Sequence, residues 1–240
     1  MSHVSNMVEV NEVEAVILAG GLGTRLRSVV AELPKCMAPV AGRPFIDFVM
    51  EALMAQGIQR FILALGYRSE AIVEHVQKTY PQLQIKYSIE DEPLGTGGAI
   101  RRALSLAHSS AAVVANGDTL FPVDLKKGLQ LLADNNADCV LHLKPMENFD
   151  RYGVVELNDQ KAITAFQEKK HYEQGLINGG VYLMNVPAFL NENLPTKFSF
   201  EKEYLEALFT KRKMYGEVQD AYFIDIGIPA DFERAQIELR

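Results

Sequence analysis

Cysteine is scarce in this sequence. Cys36 and Cys139 are the only two in 240 residues. Two are too few for a disulfide framework, and neither has a partner at metal-ligand spacing, so both are expected as free thiols. An excess of positive charge is also missing. The 24 Lys and Arg against 31 Asp and Glu leave a net charge of −7, which argues against a general nucleic-acid or anionic-membrane surface. No uninterrupted apolar run could span a bilayer, and the opening MSHVSNMVEVNEVEA lacks the apolar stretch of a signal peptide. A cytoplasmic protein is therefore the expectation. No Pro- or Ser-rich linker divides the chain, and no repeat of fixed period runs through it.

What is present suits one α/β domain or two intimate lobes, since a chain of this length buries about 70–75% of its unfolded surface. Val13 to Leu18 reads as a buried strand ending at Gly20-Gly21. Pro44 to Gln56 has apolar residues at helical spacing, begins with proline and stops at Gly57. IQRFILALGY is a second strand, Ser69 caps a helix to about Lys78, QIKYSI is a third strand, and Gly97 to Ala107 is helical before the strand AAVVA. This β-α-β-α-β-α-β alternation predicts a Rossmann-like, mostly parallel central sheet flanked by helices. In such sheets ligands bind at the carboxyl ends of the strands.

After a helix near Leu125 to Asp134 the texture changes. CVLHLK, YGVVEL, ITAFQE and GGVYLMN are short β-like runs, followed by helices near Phe200 to Thr210 and Asp231 to Leu239. The expectation is a single unit over 1–240. About 13–135 forms its parallel part, and about 136–240 forms a smaller mixed lobe over the site.

The loop after the first strand, LAGGLGTRLRSVVAELPK, crowds glycines next to two cations. Bare backbone N–H groups in such a loop can surround a phosphate. It is not a Walker A loop, because no G-x-x-x-x-G-K-[ST] run is present. Nor is it the dinucleotide fingerprint, because Leu26 stands where the third glycine belongs.

G-G-x-G-T-R-L followed by P-K resembles the signature of the sugar nucleotidyltransferases, the nucleoside-diphosphate-sugar pyrophosphorylases. That resemblance implies a loop wrapped around a nucleoside triphosphate. Leu18, Gly20, Gly21, Gly23 and Thr24 would lie on the nucleotide, Arg25 on the departing β,γ-phosphates and Lys35 near the α-phosphate. Six further segments match the family in order. LGTGGA (Gly95, Thr96, Gly97) would lie against the base, and NGD would supply Asp118 as a metal ligand. YGV would bring the Gly153 backbone to the sugar. In FQEK, Glu168 would hold sugar hydroxyls and Lys169 the sugar phosphate, with Asn178 and Gly179 of NGG beside them. FIDIGIP would supply Asp225 as the second metal carboxylate.

The resemblance thus implies the nucleotide-diphospho-sugar transferase fold and a reaction of a sugar 1-phosphate with a nucleoside triphosphate. Arg25, Lys35 and Lys169 would be catalytic, and Mg²⁺ would sit on Asp118 and Asp225. Lys170 departs from the proline common after E-K, and Phe223 and Ile228 replace a usual tryptophan and threonine. These departures bear on which sugar is used.

The short length, the LGTGGA loop, NGDT and INGGVYL are most similar to the D-glycero-α-D-manno-heptose 1-phosphate guanylyltransferases. GTP is then the favoured nucleotide. The alternatives are a uridylyltransferase for N-acetylmuramate 1-phosphate, a mannose 1-phosphate guanylyltransferase, or a non-catalytic regulatory subunit that binds sugar nucleotides. No nucleic-acid or membrane partner is expected, and self-association is left open. His75, His108, His142 and His171 are expected to be structural or surface residues.

Overall fold

The computed structural model describes residues 9–21, 33–66 and 69–240. The first half runs β1 (Glu14–Leu18), a short ribbon of β2 (Pro39–Val40) and β3 (Arg43–Pro44), α1 (Phe45–Ala55), β4 (Arg60–Leu65), α2 (Ser69–Thr79), β5 (Gln84–Ile89), α3 (Gly95–Leu104), β6 (Ala111–Asn116), β7 (Thr119–Leu120) and α4 (Leu125–Asp134). The second half adds β8 (Cys139–Phe149), β9 (Val154–Leu157), β10 (Ile163–Gln167), β11 (Tyr172–Asn185), α5 (Val186–Leu190), a π-helical stretch Phe200–Glu206, β12 (Met214–Val218), β13 (Ile224–Asp225) and α6 (Pro229–Glu238).

Strands β6, β1, β4 and β5 lie side by side and parallel. Both faces of β6, β1 and β4 are covered, so their residues alternate between two apolar layers rather than between core and water, while β5 forms the half-exposed edge. Ala15 and Ile17 of β1 join a core with α1 residues such as Phe45 and Met50, whereas Val16 joins the opposite core with Ile100 of α3 and Phe200. Helix α1 starts after Pro44, places Ile46, Val49, Met50 and Leu53 inward, and ends before Gly57.

The mixed half grows out of the same sheet. Strand β11 runs antiparallel to β6 through Val181–Asn185, then bends away so that Ile177 pairs Val154 of β9. Strand β8 lies antiparallel along β11, and β12 lies parallel to β8. The far edge of β12 meets the start of β10, through an Ala162–Tyr215 bridge and a bond from Gly216 N–H to the Lys161 carbonyl at 2.9 Å. Five strands therefore curl nearly closed, and β11 is the hinge between the flat parallel part and this curled part.

The bend in β11 is local. The register against β8 shifts between Asn178 and Tyr182, and Gly180 adopts φ +73°. That left-handed conformation is one that glycine reaches without steric cost. A second short ribbon, β7 with β13, crosses the carboxyl ends of the parallel strands and pairs Thr119 with Asp225.

Candidate active site

Asp118 follows β6 at the carboxyl edge of the sheet, where Gly117 N–H donates to the Leu18 carbonyl at 3.0 Å. The β7–β13 ribbon brings Asp225 alongside it, and Ile226 N–H donates to the Asp118 carbonyl at 3.0 Å. Lys35 rises from the helical turn Lys35–Met37 after Pro34 and places its ammonium between the two carboxylates. It is ion-paired with Asp118 Oδ2 and stands 3.6 Å from Asp225 Oδ1. Gly227 N–H fixes Asp225 Oδ1 at 2.7 Å, and Thr119 Oγ1 lies 3.3 Å from Asp118 Oδ1.

Among the described residues no group of three or more His, Cys, Asp or Glu gathers as a metal cage. Two half-exposed carboxylates with hard oxygen donors nonetheless fit a divalent cation that takes its remaining ligands from substrate phosphates and water, as Mg²⁺ commonly does.

Asp225 also borders a cleft of about 430 Å³. Around that cleft stand Gly153 before β9, Glu168 and Lys169 after β10, and Asn178 and Gly179 in the bulge of β11. Every residue expected on the sugar side is therefore gathered in one concavity, next to the carboxylate pair. Asn178 is held firmly: its Nδ2 donates to the Tyr182 hydroxyl at 2.9 Å and its Oδ1 accepts from Gly180 N–H at 3.0 Å. Edge-to-face rings brace the floor, with Tyr152 against Phe223 at 5.9 Å and Phe223 against Phe121 at 5.7 Å. Burial, with the Asp225 charge beside it, pushes the Tyr152 hydroxyl up to about 12, so it stays a neutral donor.

The nucleotide-side residues separate into two sets. Gly23, Thr24 and Arg25 lie outside the described residues. Leu18 ends β1 and Gly20 and Gly21 follow it, and Gly20 packs against Gly66 closely enough that a Cβ would sit 3.1 Å from its nitrogen. Gly95, Thr96 and Gly97 open α3, as expected, but the glycines there have a packing role. Gly97 N–H donates to the Phe198 carbonyl at 3.0 Å, and a Cβ at Gly97 would fall 2.1 Å from the Phe198 ring. Thr96 Oγ1 donates to Glu201 at 2.8 Å and accepts from Phe200 N–H at 2.8 Å. The LGTGGA turn is thus bolted to the π-helical stretch. None of these six residues lines the 430 Å³ cleft.

Three residues at or beside the site escape motif reading: Arg151, Glu201 and Lys202. Arg151, next to the YGV turn, is ion-paired with Asp231 of α6, and its Nη2 stands 3.7 Å from Asp225 Oδ2. Asp231 is also ion-paired with Arg234 at 3.1 Å. Glu201 and Lys202 enter the cleft wall from the π-helical stretch. An arginine beside a matched motif was the single available signal, because its partner lies 80 residues away. None of His75, His108, His142 and His171 lines the cleft. His75 bonds Asp47 at 2.7 Å, and His142 is fully buried against α4. Cys36 is buried beside Lys35, and burial together with the Asp118 charge pushes its thiol up to about 12, which makes it inert.

Comparison with known proteins bears on the family and the fold. A family model described as nucleotidyl transferase matches residues 14–240. A D-glycero-alpha-D-manno-heptose 1-phosphate guanylyltransferase of Aneurinibacillus thermoaerophilus is 51% identical over 227 residues, covering 95% of this chain and 98% of the relative. Its counterpart in Campylobacter jejuni is 47% identical, covering 91% of this chain and 96% of the relative. A mannose-1-phosphate guanylyltransferase of Mycobacterium tuberculosis is 34% identical, covering 95% of this chain and 65% of its own length. The crystal structure of HddC from Yersinia pseudotuberculosis complexed with GMP-PN superposes with a TM-score of 0.84 at 37% identity, covering 95% of this chain and all of that one.

Proposed function

The chain belongs to the nucleotidyl transferase family, and from that premise we propose that it joins D-glycero-α-D-manno-heptose 1-phosphate to GTP, releasing pyrophosphate and forming GDP-heptose. It is a sugar-1-phosphate nucleotidyltransferase by its relatives. The choice of heptose and GTP rests on 51% identity to a heptose guanylyltransferase, against 34% to a mannose one. The observation that carries the catalytic reading is the meeting of Glu168, Lys169, Gly153 and Asn178 with Asp225 in one cleft beside Lys35 and Asp118.

An oxygen of the sugar phosphate forms the new bond to the α-phosphorus, and the bond from that phosphorus to pyrophosphate breaks. The attacking phosphate is already ionised at pH 7, so no general base is needed. Catalysis is positioning and charge stabilisation. The main obstacle is repulsion between anions, roughly 4 kcal/mol for two unit charges at 4 Å and an effective dielectric of 20. Lys169 holds the sugar phosphate, Glu168 orients the sugar hydroxyls, Lys35 leaves the carboxylate pair for the α-phosphate, and Arg25 meets the departing phosphates. When bound to Asp118 and Asp225, Mg²⁺ would add positive charge at the phosphate oxygens.

In this reading residues of about 13–135 serve the nucleotide and those of about 136–240 the sugar. Among the described residues no helix is long and apolar enough to cross a membrane, and a cytoplasmic place suits the enzyme. The presence of Arg25, Lys35, Asp118, Lys169 and Asp225 together favours turnover over a regulatory subunit.

The test is pyrophosphate release with Mg²⁺ across a grid of nucleoside triphosphates and sugar 1-phosphates, including those of the heptose, mannose, glucose and N-acetylmuramate. Activity with GTP and the heptose is expected. A higher kcat/KM for mannose 1-phosphate, or for UTP with N-acetylmuramate 1-phosphate, would replace this assignment.

A further inference from the structure

Arg151 occupies a place that none of the catalytic roles above explains. It does not line the cleft, yet its guanidinium joins three elements that arrive from different parts of the chain. It is ion-paired with Asp231 in the first turn of α6, and its Nη2 faces Asp225 Oδ2 at 3.7 Å. Its own plane lies over the Tyr152 ring at 5.4 Å. Tyr152 continues into Gly153 on the cleft and packs edge-on against Phe223, two residues before Asp225. Asp231 is itself ion-paired through its other oxygen with Arg234, so Arg151 and Arg234 share it.

Asp225 is shared out in the same way. Gly227 N–H and the Lys35 ammonium take Oδ1, at 2.7 Å and 3.6 Å, while Arg151 stands at Oδ2. Arg151 is therefore the group that sets the outward oxygen of one carboxylate while holding the turn that presents Gly153. A planar, five-donor guanidinium can face two carboxylates and an aromatic ring at once, which a lysine ammonium cannot do.

We propose that Arg151 is a positioning residue that couples the two halves of the site. By joining Asp225 to the Tyr152–Gly153 turn, it makes the binding of a divalent cation at Asp225 and of a sugar 1-phosphate beneath Gly153 mutually favourable. The inference rests on the reading of Asp225 as a cation ligand and of Gly153 as a sugar contact. Its physical basis is that a cation on Asp225 fixes the carboxylate that Arg151 faces, so that the turn tied to Arg151 is already ordered when the sugar arrives, and the reverse. Coupling of this kind is reciprocal, and about tenfold is a typical size.

The test is binding rather than turnover. The affinity of heptose 1-phosphate is measured by calorimetry with and without Mn²⁺, in the presence of a non-hydrolysable GTP analogue, for the wild type, Arg151→Met, Arg151→Lys and Asp231→Asn. Mn²⁺ affinity is read separately by electron paramagnetic resonance. Mn²⁺ is expected to raise wild-type sugar affinity about tenfold. That factor should fall to near one in Arg151→Met, with little recovery in Arg151→Lys, and to an intermediate value in Asp231→Asn. Asp231→Asn keeps the arginine, so it still decides the matter if Arg151→Met folds poorly.

An unchanged metal effect in these variants, or no metal effect in the wild type, overturns the coupling. A wild type that turns over the heptose substrate yet shows no metal effect on binding rejects the coupling alone. A wild type that turns over no sugar 1-phosphate rejects the reading beneath it as well.

Discussion

Lys35 and Asp118 are ion-paired at the carboxyl edge of the parallel sheet, and the same ammonium stands 3.6 Å from Asp225. A cation of the chain itself thus stands among the carboxylates assigned to a metal, within reach of the phosphates it is assigned to serve. Replacing Lys35 by Ala should lower kcat by about 10²–10³-fold, the cost of losing one group that stabilises transition-state charge. The sugar KM should change little. Lys169→Ala should do the opposite, raising the KM for sugar 1-phosphate with a smaller effect on kcat. Steady-state kinetics on both variants decides this, and the reverse pattern would exchange the two roles.

Asp118→Ala should abolish measurable turnover while the fold persists, because Asp118 sits in a turn after β6 and contributes no side chain to either apolar core. Circular dichroism and thermal melting would confirm the fold, and a pyrophosphate assay would read turnover. Near-normal turnover would remove the metal assignment.

Gly97 can be tested as a packing residue. A methyl group there would fall on the Phe198 ring, so Gly97→Ala should cost about 1–3 kcal/mol through overpacking. A denaturation midpoint measures that cost. If Gly97→Ala instead melts normally and only weakens GTP binding, direct contact with the base is the better explanation of the LGTGGA turn.

Two buried titrating groups give stability a pH dependence. Burial holds the His142 imidazole down at about 4, against an ordinary 6.5. The unfolded chain therefore takes up the proton first. Stability should fall as pH drops from 6.5 toward 4, by about 3 kcal/mol in all, and His142→Gln should flatten that slope. At Glu14, burial alone would raise the carboxyl. The N–H of Ser109, the Lys86 ammonium and the N–H of His108 outweigh it and bring the group to about 2, from an ordinary 4.5. Its contribution is present above 4.5 and lost as pH falls through about 2. Urea titrations at a series of pH values separate the two windows.

The parallel half was legible because β1, β4 and β6 are mostly apolar runs and α1 carries its own start and stop, Pro44 and Gly57. The sugar-side residues were legible because each sits in a short motif, and the fold gathers them into one cleft. Other features left little trace. Strand β12, MYGEV, has neither a long apolar run nor a turn signal, and it becomes a strand because β8 and the Lys161 carbonyl take up its backbone. A two-residue ribbon such as β7–β13 has no periodicity to detect. The Arg151–Asp231 pair joins residues that no local pattern connects. The glycines of LGTGGA were read as ligand contacts, whereas the close approach of Phe198 also requires them.

The β7–β13 ribbon also sets the order in which the enzyme can come into being on the ribosome. Strands β1, β4, β5 and β6 can assemble while the remainder is still being synthesised, but Asp118 stays without its partner until residues near 225 emerge. Helix α6 arrives later still. Through Gln236 it fastens the Pro39 carbonyl at 2.6 Å and Ala41 N–H at 3.0 Å, just beyond Lys35. A nascent or prematurely released chain would therefore hold an incomplete charge centre, so catalytic competence would be among the last properties the polypeptide acquires.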